Sequence, residues 1–180
     1  MNKSLVKFIT DFGPLLIFFT VYYKSGNNLS TAIPPLIIST LLAIIVVYLI
    51  ERKIPYVPLI GATLISVFGG LTLYFDNPVF LYVNPTIINI LFAIILISGR
   101  FFNKNFLKMV FKSAFQLNDE GWAKLNNRWI LFFLFLAIIN EIVWRTQTEY
   151  FWVNFKVWGI LIFTFLFTAF QLPLINKHKL

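Results

Sequence analysis

Long apolar runs broken by short polar gaps set the pattern of this chain. The runs cover residues 5–23, 29–50, 54–75, 79–99, about 129–144 and about 152–175. A helix crossing the hydrocarbon core needs about 20 predominantly apolar residues. The pattern therefore predicts an all-α, polytopic transmembrane helical bundle of six spans, forming one integral membrane domain over 1–180. Glu51-Arg52-Lys53 stops the second run and Asp76-Asn77-Pro78 is a turn signal after the third. Pro34 and Pro35 fall near the start of the second run, where proline is tolerated because first-turn N–H groups have no helical partner. Asn84-Pro85 places the start of the fourth run's regular helix near Pro85.

The first run is the weakest. Asp11 and Pro14 interrupt it; an acid at a helix centre costs about 2.5–3.5 kcal/mol on insertion scales, and an interior proline frees a backbone carbonyl. If it does not cross, five spans remain. The run lacks a small-x-small cleavage site and another apolar run follows closely, so it reads as a retained helix rather than a signal peptide.

The one sizeable gap, residues 100–128, is read as a loop carrying an amphipathic interfacial helix over its first half, 101–117. Lys104, Lys108 and Lys112 recur every four residues and share a helical face, suited to lipid headgroups. Phe106, Met109, Val110 and Leu117 lie largely off that row. An ordinary basic stop-transfer flank is the plainer reading of the same lysines.

Composition strengthens the membrane assignment. Only 12% of positions are charged, against roughly 25% in soluble domains. The net charge of +8 is distributed in gaps, without the stripe of cations and stacking aromatics that nucleic acid requires, so nucleic acid is not an expected partner and membrane lipids are. With no cysteine, disulfide and thiolate chemistry are excluded. Across six spans, twelve of the fifteen Lys and Arg residues fall on one side: Lys3, Lys7, Arg52, Lys53, Arg100, Lys104, Lys108, Lys112, Lys124, Arg128, Lys177 and Lys179. Lys24, Arg145 and Lys156 fall on the other. The positive-inside rule makes the richer side, with both termini, cytoplasmic.

Polar residues within apolar runs are the functional candidates, because each is costly there without a partner. Asp11 follows Lys7 by four residues, which fits a local ion pair; the alternative is a bundle-facing acid that binds a proton or cation. Asn89 and Gln171 are expected to hydrogen-bond between helices; Asn140 and Glu141 lie near the outer end of the fifth run, where Glu141 is spaced to pair with Arg145. Ala62, Ser66 and Gly70, with Gly61 and Gly69 beside them, form a small-residue pattern that predicts close helix contact, within the monomer or between copies. The single histidine, His178, is expected in a solvated tail. No Walker A, Gly-x-Ser-x-Gly or His-Glu-x-x-His motif occurs, so no catalytic residue, cofactor or metal is expected.

Distinctive linear motifs add a resemblance. Asp11-Phe12-Gly13-Pro14-Leu15 with Phe18-Phe19, then Phe68-Gly69-Gly70-Leu71-Thr72-Leu73, are followed by Trp122, Lys124-Leu125-Asn126, Trp129, Phe132-Phe133 and Asn140. Trp152-Val153-Asn154-Phe155-Lys156, Gly159 and Thr164 complete the series. In order and spacing the chain resembles the intracellular septation protein A family, also called the inner membrane-spanning protein YciB family. Physically, the Trp-Val-Asn-Phe-Lys run reads as an interfacial anchor: Trp152 at headgroup depth, Asn154 capping the sixth helix and Lys156 snorkelling outward. The resemblance implies a bacterial inner-membrane protein serving envelope biogenesis, envelope integrity, membrane homeostasis and septation through contacts with division and elongation proteins. It implies no catalytic residues, and five spans are commonly described for such proteins. A non-enzymatic scaffold is the leading functional reading; a small transporter or channel using Asp11 and Asn89 is the alternative.

Overall fold

The computed structural model describes residues 3–52, 55–102, 104–112 and 114–180, with the side chains of residues 3–5, 56 and 57 left out. Lys53 and Ile54, expected at the start of the third span and on the cationic side, lie outside the described residues, as does the side chain of Lys3. The helices in chain order are α1 (Lys3–Lys24), α2 (Leu29–Glu51), α3 (Tyr56–Phe75), α4 (Val79–Phe101), α5 (Phe106–Phe111), α6 (Asp119–Thr146), α7 (Glu149–Asn154), a π-helical turn (Phe155–Gly159) and α8 (Ile160–His178). Among the described residues, six segments are long and apolar enough to cross a membrane: Val6–Lys24, Leu29–Glu51, Pro58–Phe75, Val79–Phe101, Asp119–Thr146 and Glu149–His178. The chain is an all-α, multi-pass membrane protein. Large apolar side chains such as Leu16, Ile38, Tyr74, Phe165 and Phe170 point outward, where lipid is their solvent.

Backbone contacts divide the chain into two compact units, 1–84 and 85–180. In the first, α1 packs along α2, and α2 packs on α3. The connection between α1 and α2 turns through Gly26 and Asn27, both at positive φ, and Asn28 then caps α2 by accepting from the Thr31 N–H at 3.0 Å. Because α2 starts at Leu29, Pro34 and Pro35 lie in its second turn rather than its first. They therefore remove two helical donors, those that would have reached Ser30 and Thr31. Arg52 and Asp76 end α2 and α3 in the left-handed conformation. Asn77 then accepts from the Val79 N–H, which starts α4 directly. The fourth helix thus begins at Val79, six residues before the position inferred from Asn84-Pro85, with Pro85 inside it.

In the second unit, α6 packs on α8, α5 and α7. Its core joins Ala93 and Leu96 of α4, Leu107 of α5, Leu117, Trp122, Leu125 and Ile130 around α6, and Leu174 of α8. Stacked rings extend it: Phe132 on Phe167 at 4.1 Å, and Phe115 on Trp122 at 5.4 Å. The expected 100–128 loop is shorter. Asn118 accepts from the Gly121 N–H at 2.8 Å, and Asp119 and Glu120 occupy the first turn, so α6 begins ten residues ahead of Trp129. The expected interfacial helix over 101–117 is likewise reduced to the six residues of α5, since α4 runs on through Phe101 and an Asn105 cap starts a new helix. Gly99 permits this reversal, because a Cβ there would lie 2.5 Å from the Lys104 carbonyl oxygen.

His178 departs most from expectation. It is buried, not solvated. Asn118 N–H donates to its carbonyl at 3.0 Å, Leu180 N–H donates to Gln116 O at 3.1 Å, and the His178 side chain lies over Gly121. Gly121 has no Cβ, and this lets the segment at 176–180 dock on residues 116–121.

Candidate functional site

The polar residues of the second unit converge on one place, where α4, α6 and α7 meet. Thr86, one residue after Pro85 on α4, donates its hydroxyl to Glu141 Oε1 at 2.7 Å. Its oxygen accepts from Asn140 Nδ2 at 2.8 Å. The Asn140 amide oxygen in turn accepts from Trp152 Nε1 at 3.0 Å. Glu141 Oε2 takes Arg145 Nε and Nη2, each at 2.9 Å. Arg145 also lies over the Trp144 ring at 4.2 Å, and Lys156 over Trp152 at 5.1 Å.

Local sequence explains the convergence. Asn140 and Glu141 are adjacent, so they point to neighbouring faces of α6 and both reach Thr86; Arg145 is one turn further on. The tight 146–148 connection, in which Thr148 accepts from the Phe151 N–H at 3.2 Å, returns the chain so that Trp152 meets Asn140. Asn140 and Trp152 are each 1% exposed. Amides and hydroxyls so placed bond one another because hydrocarbon offers nothing else. Both Glu141 oxygens accept from donors of this chain. Such a carboxylate positions helices, and a free general base is not what this geometry provides.

The anchor residues are rearranged. Trp152 is buried inside the fold, its ring nitrogen on Asn140. Asn154 does not cap a helix: Thr148 does, and Asn154 sits in helical conformation with Nδ2 donating to Tyr150 O at 2.8 Å. Lys156 lies in the π-turn, one residue after its start, and is half-buried beside Trp152. A Cβ at Gly159 would lie 2.5 Å from the Phe155 ring, so the wide turn closes over a residue without one.

The remaining candidates scatter. Asn89 Nδ2 donates to Pro85 O, 2.8 Å away in its own helix. Gln171 accepts from Arg128 Nη1 at 3.2 Å, linking α8 to α6. Among the described residues the ion pairs are Lys108–Asp119, Lys124–Glu120 and Arg145–Glu141, so Lys7 and Asp11 form none. Asp11 is exposed and borders a 210 Å³ cavity with Lys7 and Glu51. Of the small residues on α3, Ala62 is buried and a Cβ on Gly69 would lie 2.9 Å from Ile33, which makes 62, 66 and 69 the inner face. Gly61 and Gly70 have open space around them. Lys104 and Lys108 border a polar cavity that Lys112 does not.

Sequence reasoning missed Thr86 and Arg100.

The matched family model, described as intracellular septation protein A, covers residues 6–180. The chain belongs to the intracellular septation protein A family. Among relatives of the family, the inner membrane-spanning protein YciB of Agrobacterium fabrum is 43% identical over 191 residues, 98% of this chain and 93% of the relative. Those of Sinorhizobium fredii and Brucella suis are 44% and 43% identical, covering 97% and 98% of this chain and 89% and 94% of their own lengths. No solved structure matches this family member.

Proposed function

We propose that the chain is a non-enzymatic inner-membrane scaffold linked to septation. It serves envelope biogenesis, envelope integrity and membrane homeostasis by contacting division and elongation proteins. The observation that carries this reading is the Thr86–Glu141–Asn140–Trp152 network, in which the buried polar groups join helices to one another and leave no reactive pair. Membership of the septation family supplies the process, and the relatives' names supply the membrane. Gly61 and Gly70 are open and lie about 180° apart around α3, so each offers its own close approach to a partner's backbone, one on either flank of the inner face. The excess of Lys and Arg on one side supports a cytoplasmic position for both termini.

In-cell crosslinking from positions 61 and 70, compared with Leu substitutions there, tests the scaffold. Loss of crosslinks together with a septation defect is expected. Intact crosslinks and normal division in G61L/G70L would sink it. Reporter fusions after Lys24 and at the C-terminus test orientation, with opposite sides expected.

A further inference from the structure

Where α4 ends and α6 begins, a cavity of about 660 Å³ opens in the second unit, lined by Arg100, Lys104, Asn105, Lys108, Asp119 and Asn126 among others. Its volume lies within the range of about 300–1,000 Å³ typical of small-molecule sites. Three cations and one acid border it, and the acid is taken: Asp119 accepts from Lys108 Nζ at 3.2 Å. Lys104 has no acidic partner among the described residues. The amide of Asn105 is also occupied, its oxygen by the Lys108 N–H and its nitrogen by Trp122 O at 3.2 Å. Asn127 accepts from Arg100 Nη2.

Asn126 is different. It is 5% exposed, its nitrogen reaches Leu96 O at 3.4 Å, and its buried Oδ1 has no hydrogen-bond partner. A buried amide oxygen left unmatched costs free energy, and native proteins resolve most such cases with a partner. The wall therefore combines unneutralised positive charge with an acceptor that lacks a donor.

We propose that this cavity binds a phosphate ester carrying a neighbouring hydroxyl or ammonium donor. Arg100 and Lys104 take the phosphate oxygens, since guanidinium and ammonium donors suit them. The ester's own donor answers the acceptor at Asn126. Two sources share this chemistry: a phospholipid headgroup and a soluble phosphate monoester. The position favours the lipid, because the span of α4 closes at Phe101 and that of α6 opens at Asp119.

The test uses the full chain in detergent, with its thermal unfolding midpoint followed as each probe is added. The probes are dioleoyl-phosphatidylglycerol, dioleoyl-phosphatidylcholine, which has the phosphate without a donor, and glycerol 3-phosphate. Phosphatidylglycerol is expected to raise the midpoint more than phosphatidylcholine. R100Q/K104Q should reduce that rise by about half or more, while K112Q, outside the cavity, keeps it. N126L should leave the lipid-free midpoint unchanged or higher and still weaken the response, which a merely structural role would not do. A rise with glycerol 3-phosphate equal to that with phosphatidylglycerol assigns the soluble source; a rise with lipid alone assigns the headgroup. The proposal is overturned if neither phosphatidylglycerol nor glycerol 3-phosphate shifts the wild-type protein, if R100Q/K104Q responds as the wild type does, or if N126L keeps the full response.

Discussion

Asn140 bridges α4 and α7 with one side chain, so replacing it with alanine gives the sharpest test of the polar network. The change removes two hydrogen bonds, to Thr86 at 2.8 Å and from Trp152 at 3.0 Å. Thr86 keeps its bond to Glu141. The Trp152 N–H loses the bond recorded from its ring nitrogen, at a residue 1% exposed. Interhelical hydrogen bonds in membranes are worth about 0.6 kcal/mol on average and about 1.7 at most. Stranding a buried donor costs about 1–3 kcal/mol. Together these give a loss of about 2 kcal/mol for Asn140→Ala, roughly thirtyfold in the unfolding equilibrium. Trp152→Phe removes the ring donor together with part of the indole's volume, so its loss includes a cavity contribution that the double variant subtracts. Reversible unfolding in mixed micelles would measure both, and the double variant closes the cycle. A coupling energy of about 0.5–1.5 kcal/mol is expected between the two positions. A loss below about 0.5 kcal/mol for Asn140→Ala, or a coupling near zero, would show that the network does not hold these helices together.

Glycine positions give three further predictions. Gly121→Ala places a methyl 2.5 Å from the His178 Cβ and should release the 176–180 segment, read as faster hydrogen exchange at the Asn118 and Leu180 amides; unchanged exchange would refute the docking. Gly69→Leu drives atoms into Ile33 and Ile37 and should cost about 1–3 kcal/mol by overpacking, whereas Gly61→Leu and Gly70→Leu should leave folding nearly unchanged; equal effects at all three would erase the distinction between faces. Gly99→Ala meets a backbone oxygen rather than a flexible side chain, so the α4–α5 connection must shift, and limited proteolysis within 100–106 should accelerate.

The helical class and the membrane were legible in the sequence, because a run of some twenty apolar residues has the same meaning wherever it occurs. The Asp76-Asn77-Pro78 turn was equally local, and Glu141 and Arg145 pair as four-residue spacing requires. Helix starts were less legible. Charged first turns such as Asp119-Glu120 look like loop until an asparagine cap is seen in place, so α6 begins earlier than hydrophobicity alone suggests.

Trp152-Val153-Asn154-Phe155-Lys156 shows the boundary between sequence and tertiary structure. Its composition is that of an interfacial anchor, and Lys156 carries charge wherever it lies. Yet only the return of α7 onto α6 brings the Trp152 nitrogen to Asn140, and only the Thr148 cap deprives Asn154 of that task. Likewise the lysine spacing at 104, 108 and 112 is plain in the sequence, whereas the end of α4 at Phe101 and the Asn105 cap of α5 decide that two of them join Arg100 around a cavity and the third does not. Hydrophobic length and net charge belong to segments and survive without neighbours. Hydrogen-bond partners, burial of a single histidine and the walls of a cavity depend on residues dozens of positions apart, and the packing of helices alone brings those together.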